Sequence, residues 1–213
     1  MPLYTTDALI LRTYKLGESD RIVVFLTRDR GKKRGVAKNA RQSRRRFGGA
    51  LEPLTYGRVG YVERERRELV SLHFVEPVRS PLSALDGEAL GYVGYFAELI
   101  DEWAQDADPN ETLYRLGASM VDAMAVGVPI EPLARYFEFW LLRLQGVYEA
   151  DPRLSGAARE FLTAARELSP FALGRLVVSG EVLRELEGAH RALIAMHLEK
   201  DLKSARVLRE MRR

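Results

Sequence analysis

The hydrophobic pattern of this chain changes its period once, near residue 80. Before that point, short apolar runs rich in β-branched and aromatic residues alternate with turn residues, as in strands. After it, apolar residues recur at helical spacing. Pro77 and Pro81 mark the change. A chain of 213 residues suits one large or two small domains, and we expect residues 1–80 and 81–213 to form two.

The first 80 residues predict five short strands, at 8–11, 22–26, 34–37, 54–62 and 69–75. Gly57 and Gly60 interrupt the fourth strand, which indicates a bulge or a sharp bend. In the fifth strand, Val70, Leu72 and Phe74 are expected on one face. So many short strands favour a small closed barrel, because closure removes exposed edges.

Helical spacing predicts several helices after residue 81. Asp108 is expected to cap the second helix, with Pro109 at its first position. The clearest pattern runs from Ile130 to Leu144, and Gly146 can end that helix. Further helices are expected at 155–168, 170–177, about 182–196 and 202–213. The predicted fold class is α+β, a five-stranded barrel followed by an all-α domain.

The chain contains no cysteine. This excludes a disulfide framework, a thiolate zinc site, an iron–sulfur cluster and a cysteine nucleophile. No apolar run approaches the roughly 18 residues of a membrane span. The N-terminus lacks the basic start and apolar stretch of a secretory signal. We therefore expect a cytoplasmic protein.

Charge is distributed unevenly between the two halves. Residues 1–80 carry 18 Lys and Arg against 9 Asp and Glu, a net of +9, whereas residues 81–213 carry 15 against 21, a net of −6. Such asymmetry indicates that the first half contacts a nucleic acid or another acidic surface.

Most of this positive charge lies in residues 28–46, hereafter the basic segment, which has ten Lys and Arg and a single acid, Asp29. A solvated loop is the alternative, but solvated surfaces usually mix signs because like charges repel. We expect the segment to neutralise phosphates and release counterions. The expected contacts are Lys32, Lys33, Arg34, Lys38, Arg41, Arg44, Arg45 and Arg46.

Small barrels of the oligonucleotide-binding (OB) kind hold single strands with basic side chains and stacking aromatic rings. Phe47 is the preferred stacking residue, because it follows the arginines in an expected loop. For every candidate, burial inside the barrel is the open alternative. The full set of candidates is Tyr14, Phe47, Tyr56 and Tyr61.

Three blocks of sequence carry a family resemblance. They are residues 8–23 (ALILRTYKLGESDRIV), residues 31–41 (Gly31-Lys32 followed by VAKNAR) and residues 46–54 (RFGGALEPL). In order and spacing they resemble the bacterial recombination mediator family RecO. Residues 134–138 (ARYFE) and 202–206 (LKSAR) match more loosely. The resemblance implies an N-terminal OB-fold and a C-terminal helical domain.

The resemblance also implies a function, DNA repair by homologous recombination without enzymatic chemistry. Members bind single- and double-stranded DNA, anneal complementary strands, and with RecR help to load RecA onto strands coated by single-strand-binding protein. The expected place of action is the nucleoid. Lys203 and Arg206 lie in the second loose match and join the expected DNA contacts. Phe139 and Trp140 lie off the main stripe of their helix and could line a groove for the tail of single-strand-binding protein, with burial as the alternative.

One departure from the family is clear. Many members carry a four-cysteine zinc site after the helix equivalent to 130–146, but residues 147–168 here contain neither cysteine nor histidine. A structural zinc is therefore excluded there. Phe161 and Leu162 are expected to pack this region instead. His190 and His197 lack a third ligand, so we expect no metal and no cofactor.

Three other functions compete with this interpretation. The first is an RNA-binding OB-fold protein, which the barrel and the basic segment fit equally well. The second is a scaffold whose basic segment meets an acidic protein. The third is a magnesium-dependent nuclease, although a solvated helix face explains its acids more simply. Those acids are Glu98, Asp101, Glu102, Asp106 and Asp108.

Overall fold

The computed structural model describes residues 2–64, 67–83, 87–200 and 202–211. Side chains are described for the same residues except 44, 83, 87 and 88. The N-terminal part contains five strands, β1 (Leu3–Leu16), β2 (Asp20–Thr27), β3 (Gly31–Ala37), β4 (Tyr56–Val62) and β5 (Val70–Arg79). A short helix, α1 (Arg44–Phe47), lies between β3 and β4.

The five strands close into a barrel in the order β1-β2-β3-β5-β4. β1 pairs antiparallel with both β2 and β4, and the only parallel pair among the described strands joins β3 to β5. This is the five-stranded barrel of the predicted OB-fold, so the predicted fold class is confirmed.

The length of β1 allows the barrel to close. Its first half pairs with β4 and its second half with β2, and the two pairings overlap only at Ala8 and Leu9. A register shift between Ile10 and Arg12 bends the strand just after this overlap. The predicted irregularity at Gly57 and Gly60 is also confirmed, because the pairing of β4 with β5 shifts at both glycines.

The bulge opposite Gly60 corrects one expectation. A Cβ at Gly60 would lie 2.1 Å from the ring of Phe74, so this ring lies directly over the glycine. Val70 and Leu72 lie together in the barrel core, but the shifted register places Val75 there and leaves Phe74, expected on the same face, half-buried.

After the barrel come a 3₁₀ turn (Pro81–Ser83) and the helices α2 (Gly87–Trp103), α3 (Glu111–Ala125), α4 (Ile130–Leu144), α5 (Gly156–Glu167), α6 (Gly180–Leu198) and α7 (Lys203–Met211). The short helix predicted at 170–177 is a 3₁₀ helix, Pro170–Arg175. The predicted cap of α3 is wrong by two residues. Asn110, and not Asp108, caps the helix by accepting a hydrogen bond from the Leu113 amide. None of the helices in the described ranges could cross a bilayer.

Two cores hold the chain together. One fills the barrel with side chains such as Ile10, Phe25 and Tyr61. The other lies between the outer face of β1 and β2 and the helices, and includes Leu9, Leu26 and many helical residues. Because alternate residues of the same strands serve the two cores, the barrel and the helices share a continuous packed interface.

A backbone contact reinforces this interface at the start of β3. The Lys32 amide donates to the Gln105 carbonyl (3.2 Å), and the Ala107 amide donates to the Lys32 carbonyl (3.1 Å). The segment between α2 and α3 thus pairs with the edge of β3. Gly31, with φ of +70°, permits this approach, because an added Cβ would lie 2.3 Å from the Asp108 nitrogen.

We expect Gly31→Ala to lower the free energy of unfolding by about 2–4 kcal/mol, since it adds a steric clash to left-handed strain. Gly17→Ala is the matched control, because Gly17 has φ of +61° and nothing within 4 Å of an added Cβ. It should cost about 1–2 kcal/mol from strain alone. Denaturant unfolding of both variants measures the difference, and equal costs would contradict the close packing at Gly31.

Candidate nucleic-acid interface

The basic segment is not one loop. It comprises the β2–β3 turn, the whole of β3, a turn at 38–43 and α1. Strand geometry sends neighbouring side chains to opposite faces, so its cations separate into distinct environments. Each predicted contact therefore has to be located individually.

Lys32 and Lys33 have partners within the protein. The Lys32 ammonium donates to the Asp101 carbonyl (2.7 Å) and lies 3.3 Å from the Asp101 carboxylate. That of Lys33 lies 2.7 Å from the Glu63 carboxylate. Their side chains are only 11% and 16% exposed. Lys32 therefore links β3 to α2, and Lys33 links β3 to the residue after β4. Neither ammonium is free to contact a phosphate without breaking an ion pair.

Phe47 does not stack on a base. It is 2% exposed and belongs to the core inside the barrel, together with Ala50. The single turn of α1 places the ring over one end of the barrel, where it acts as a lid. The Arg46 guanidinium carbon lies 5.0 Å from the centroid of the Phe47 ring. The same guanidinium donates hydrogen bonds to Ser43 Oγ (2.9 Å) and to the Lys38 carbonyl (2.7 Å). Arg46 therefore fixes α1 to the turn that precedes it.

Among the other aromatic candidates, only Tyr14 is available at the surface. Tyr61 is completely buried in the barrel, and the Tyr56 hydroxyl donates to Asp122 at 2.8 Å. Tyr14 is 48% exposed, near the end of β1. The best-placed stacking ring is thus a candidate that the sequence did not favour over Phe47.

The remaining cations of the basic segment are exposed. Arg34, Lys38 and Arg45 are exposed, and their side chains make no hydrogen bond or ion pair with any described residue. Arg41 is exposed and donates to the Glu18 carbonyl (3.1 Å), which ties it to the β1–β2 turn. The predicted contact of Arg44 lies outside the described side chains.

Arg41 also lines a pocket at the end of the barrel, which we call the barrel-end pocket. It has a volume of about 520 Å³ and lies between β1, β2 and the segment 40–53. Arg21 and Arg41 both line it, and Phe47 forms part of its floor. Sequence reasoning missed Arg21. The available signal was its position two residues before Val23, in the alternation that faces the barrel interior.

The acids of α2 form a network with barrel cations. Arg12 on β1 lies 2.8 Å from Asp101, 3.4 Å from Glu102 and 3.5 Å from Glu98. Lys200 also pairs with Glu102. These three acids are largely buried and paired, so the expectation of a solvated helix face is wrong for them.

Glu98 has a second role as a cap for α7. Its carboxylate accepts hydrogen bonds from the Ser204 amide (2.7 Å), the Lys203 amide (3.3 Å) and the Ser204 hydroxyl. Burial alone would raise the pKa of Glu98, but these bonds and Arg12 outweigh it and hold the pKa below its ordinary value. α7 is therefore fixed to α2 with Lys203 and Arg206 exposed.

The predicted partner groove at Phe139 and Trp140 needs correction. Phe139 is completely buried and packs against Tyr148, with ring centroids 4.9 Å apart. The Trp140 indole donates to the Ala165 carbonyl at 2.9 Å, and its half-buried ring lines a small groove with Tyr136 and Arg115. Only Trp140 thus reaches a surface at which a partner could bind.

A second pocket lies in the helical part, between α2, α4, α6 and α7. This helical pocket has a volume of about 370 Å³. Its apolar lining includes Tyr92 and Leu208, and its cationic lining includes Arg191, Lys200 and Arg209. Sequence reasoning did not predict this pocket, because its lining residues are far apart in the chain and come from several helices.

A buried polar cluster forms one wall of the helical pocket. Arg135 and Tyr95 both bond to Glu138 at 2.9 Å, and His190 Nδ1 lies 3.1 Å from the other oxygen of Glu138. Burial and the Glu138 charge hold the pKa of Tyr95 well above its ordinary value, so Tyr95 stays a donor. His190 is thus a core residue that faces a carboxylate.

Comparison with known proteins agrees with the sequence resemblance. The family model for the N-terminal part of recombination protein O matches residues 1–81, and the model for its C-terminal part matches residues 84–149. The chain belongs to the RecO family. The matched blocks cover the barrel and the helices α2, α3 and α4, whereas α5, α6 and α7 lie beyond them.

Several curated members of the family are similar to this chain. The DNA repair protein RecO of Koribacter versatilis is 44% identical over 145 residues, which is 68% of this chain and 59% of that protein. The one from Anaeromyxobacter sp. (strain K) is 41% identical over 153 residues, 71% of this chain and 59% of that protein. The matched region thus spans somewhat more than half the length of these relatives.

Residues 147–168, where the family resemblance implies a zinc module in many members, contain α5 in this chain. Phe161 and Leu162 on this helix are buried, as predicted, and belong to the core shared with α4 and α6. Ser155 caps α5 by accepting a hydrogen bond from the Ala158 amide. Apolar packing and the Ser155 cap therefore hold α5 against the neighbouring helices.

We expect Glu98→Gln to reduce stability at neutral pH by about 1–2 kcal/mol, because the charged cap of α7 is lost. Since the folded pKa is lowered, the contribution of Glu98 is present above the ordinary glutamate pKa of about 4.3 and disappears as the pH falls below it. Unfolding measured from pH 7 to pH 3 should show a shallower acid dependence in the variant.

Glu111→Gln is the matched control for this experiment. Glu111 pairs with Arg28, but both side chains are half-exposed, so its loss should cost less than about 1 kcal/mol. The same acid dependence in wild type and Glu98→Gln would show that Glu98 does not hold α7.

Proposed function

We propose that this chain acts in DNA repair by homologous recombination. It binds single- and double-stranded DNA, anneals complementary strands, and with RecR helps to load RecA onto strands coated by single-strand-binding protein. The curated relatives carry the name DNA repair protein RecO. The observation that supports DNA binding most directly is the set of exposed, unpaired cations beside an OB-fold barrel.

Charge neutralisation provides the physical mechanism. Arg34, Lys38 and Arg45 have no carboxylate partner among the described residues, so a phosphate can approach them without breaking an ion pair. Each neutralised phosphate releases counterions, which favours binding at low salt. A strand held on this surface repels its complement less, and annealing becomes faster. Contacts to phosphates carry no sequence information, so binding should tolerate any sequence.

Tyr14 adds a stacking surface to this interface. Its ring is half-exposed at the end of β1, close in sequence to the turn that Arg41 contacts. Stacking on a tyrosine accepts any base and favours single strands, whose bases are free to unstack. Lys203 and Arg206, exposed on α7, extend the proposed contact set to the helical part.

The combined variant Arg34→Ala, Lys38→Ala and Arg45→Ala tests this proposal. Loss of three phosphate contacts should reduce the salt slope of single-strand binding by about 2, from roughly 0.7 per contact. Annealing of two complementary oligonucleotides should slow in parallel. Binding is measured by fluorescence anisotropy and annealing by energy transfer, each across a salt series.

Arg175→Ala serves as the control, because Arg175 is exposed and unpaired among the described residues but lies in the helical part. An unchanged salt slope in the triple variant would contradict the proposed interface. Matched RNA strands form a second arm, and a clear preference for RNA would favour the RNA-binding alternative. Binding without annealing would favour a scaffold.

We further propose that the protein performs no bond-making chemistry. The acids that a nuclease would need, Glu98, Asp101 and Glu102, already face Arg12, and two of them also face a lysine. A magnesium ion would have to compete with these cations. DNA incubated with the protein and magnesium should therefore remain intact. The proposed place of action is the nucleoid in the cytoplasm.

The helical pocket supports the proposed contact with the tail of single-strand-binding protein better than Phe139 does. A hydrophobic, acidic peptide needs an apolar cavity with cations around it. Tyr92 and Leu208 supply apolar surface, while Arg191 and Arg209 supply charge. We therefore move the proposed tail site from the α4 surface to this pocket.

We expect the double variant Arg191→Ala and Arg209→Ala to bind an isolated tail peptide about tenfold more weakly, because two charge contacts are lost. Arg115→Ala is the matched control, since Arg115 lines the separate groove beside Trp140. Fluorescence polarisation with a labelled peptide measures both. A stronger effect of Arg115→Ala would return the site to the groove at Trp140.

A further inference from the structure

The barrel-end pocket contains an arginine whose charge is not compensated. Arg21 is half-buried and makes no hydrogen bond or ion pair with any described residue. The other arginines that the structure describes as partly or fully buried all have partners. Arg12 and Arg135 face carboxylates, and Arg46 donates to Ser43 and Lys38.

Partial burial of an unpaired guanidinium is unfavourable, because water is removed from the charge without replacement. An anion that enters the pocket would give the Arg21 guanidinium the hydrogen bonds and opposite charge that it lacks. Arg41 lines the same pocket and uses one of its donors on the Glu18 carbonyl, so its remaining donors are available. Two forked guanidinium groups at one cavity match the geometry and charge of a phosphate.

The pocket is large enough for the terminal nucleotide of a strand. Phe47 on its floor belongs to the barrel core, so the pocket is closed on that side. β1 and β2 bound it on one flank and the segment 40–53 on the other. Its volume of about 520 Å³ lies within the usual range of small-molecule sites, roughly 300–1,000 Å³. A nucleotide can enter such a recess from a strand terminus.

A terminal phosphate also carries more charge than an internal one. A phosphomonoester has about −1.5 to −2 charges at neutral pH, whereas a phosphodiester has one. We propose that the barrel-end pocket binds the phosphorylated terminus of a DNA strand, with Arg21 and Arg41 contacting the terminal phosphate. This inference rests on the proposed function, since it assumes that the strand lies along the neighbouring cations.

Glu52 also lines the pocket and provides a second, opposite test of the proposed site. Its carboxylate is exposed and accepts no hydrogen bond from any described residue. A negative charge there opposes a terminal phosphate. Removal of this charge should therefore act in the opposite direction to removal of Arg21.

The test compares one oligonucleotide with a 5′-phosphate, a 3′-phosphate or two free hydroxyl ends. Fluorescence anisotropy should show about tenfold tighter binding of one phosphorylated form by the wild type, the gain expected from charge-assisted contacts. Arg21→Ala should abolish this preference and Glu52→Gln should increase it. The two phosphorylated arms distinguish the terminus that the pocket accepts.

Arg45→Ala is the matched control. Arg45 is exposed and does not line the pocket, so its loss should weaken binding of all three oligonucleotides alike and leave their ratio unchanged. Arg21→Lys keeps the charge but loses the fork, and should retain only part of the preference. Thermal unfolding of each variant confirms that the barrel is folded.

The outcomes separate this inference from the proposed function. Equal binding of all three oligonucleotides by the wild type would overturn the terminal site and leave DNA binding intact. If no oligonucleotide bound, the proposed function would fail, and calorimetry with a deoxynucleoside 5′-monophosphate would test the pocket directly. Heat of binding that disappears in Arg21→Ala would support the site, and its absence in the wild type would overturn it.

Discussion

The ion-pair network around Arg12 connects the barrel to the helices that follow it. Arg12 projects from β1 towards α2, where it meets Glu98, Asp101 and Glu102. Exposed ion pairs contribute little individually, but this network is largely buried and shares its partners. Through Glu98 it also holds the first turn of α7. This network therefore links the barrel, α2 and α7, in addition to the apolar core that they share.

This network also separates the cations of the basic segment into those that pair with acids of α2 and those that stay exposed. Lys32 belongs to the basic segment, yet its ammonium is directed at Asp101 and links β3 to α2. Arg34, two residues further along the same strand, has no such partner among the described residues. The acids of α2 thus neutralise only those cations that face the helices. In the proposed DNA complex, the positive charge that remains on the barrel would face the phosphate backbone.

The sequence predicted the architecture well and the individual side chains less well. The change in the period of the hydrophobic pattern identifies the barrel and the helices, because this period depends on which residues of each local element are buried. Phe47 was misplaced because a single turn of helix, invisible to periodicity, folds it over the barrel. The partners of Asp101 are distant in sequence, so no local pattern reveals them. Arg21 went unnoticed because its importance depends on its lack of a partner among the described residues, which the sequence pattern does not show.

The burial of Phe47 has a consequence for binding. Its ring fixes α1 against the barrel, and Arg46 ties the same helix to the preceding turn through Ser43 and Lys38. The backbone that carries Arg45 is therefore ordered before any ligand arrives. A preorganised cation pays less conformational entropy on contact with a phosphate than one in a mobile loop. Phe47, the aromatic residue expected to stack on a base, would thus support the proposed binding indirectly, by holding α1 and its arginines in place.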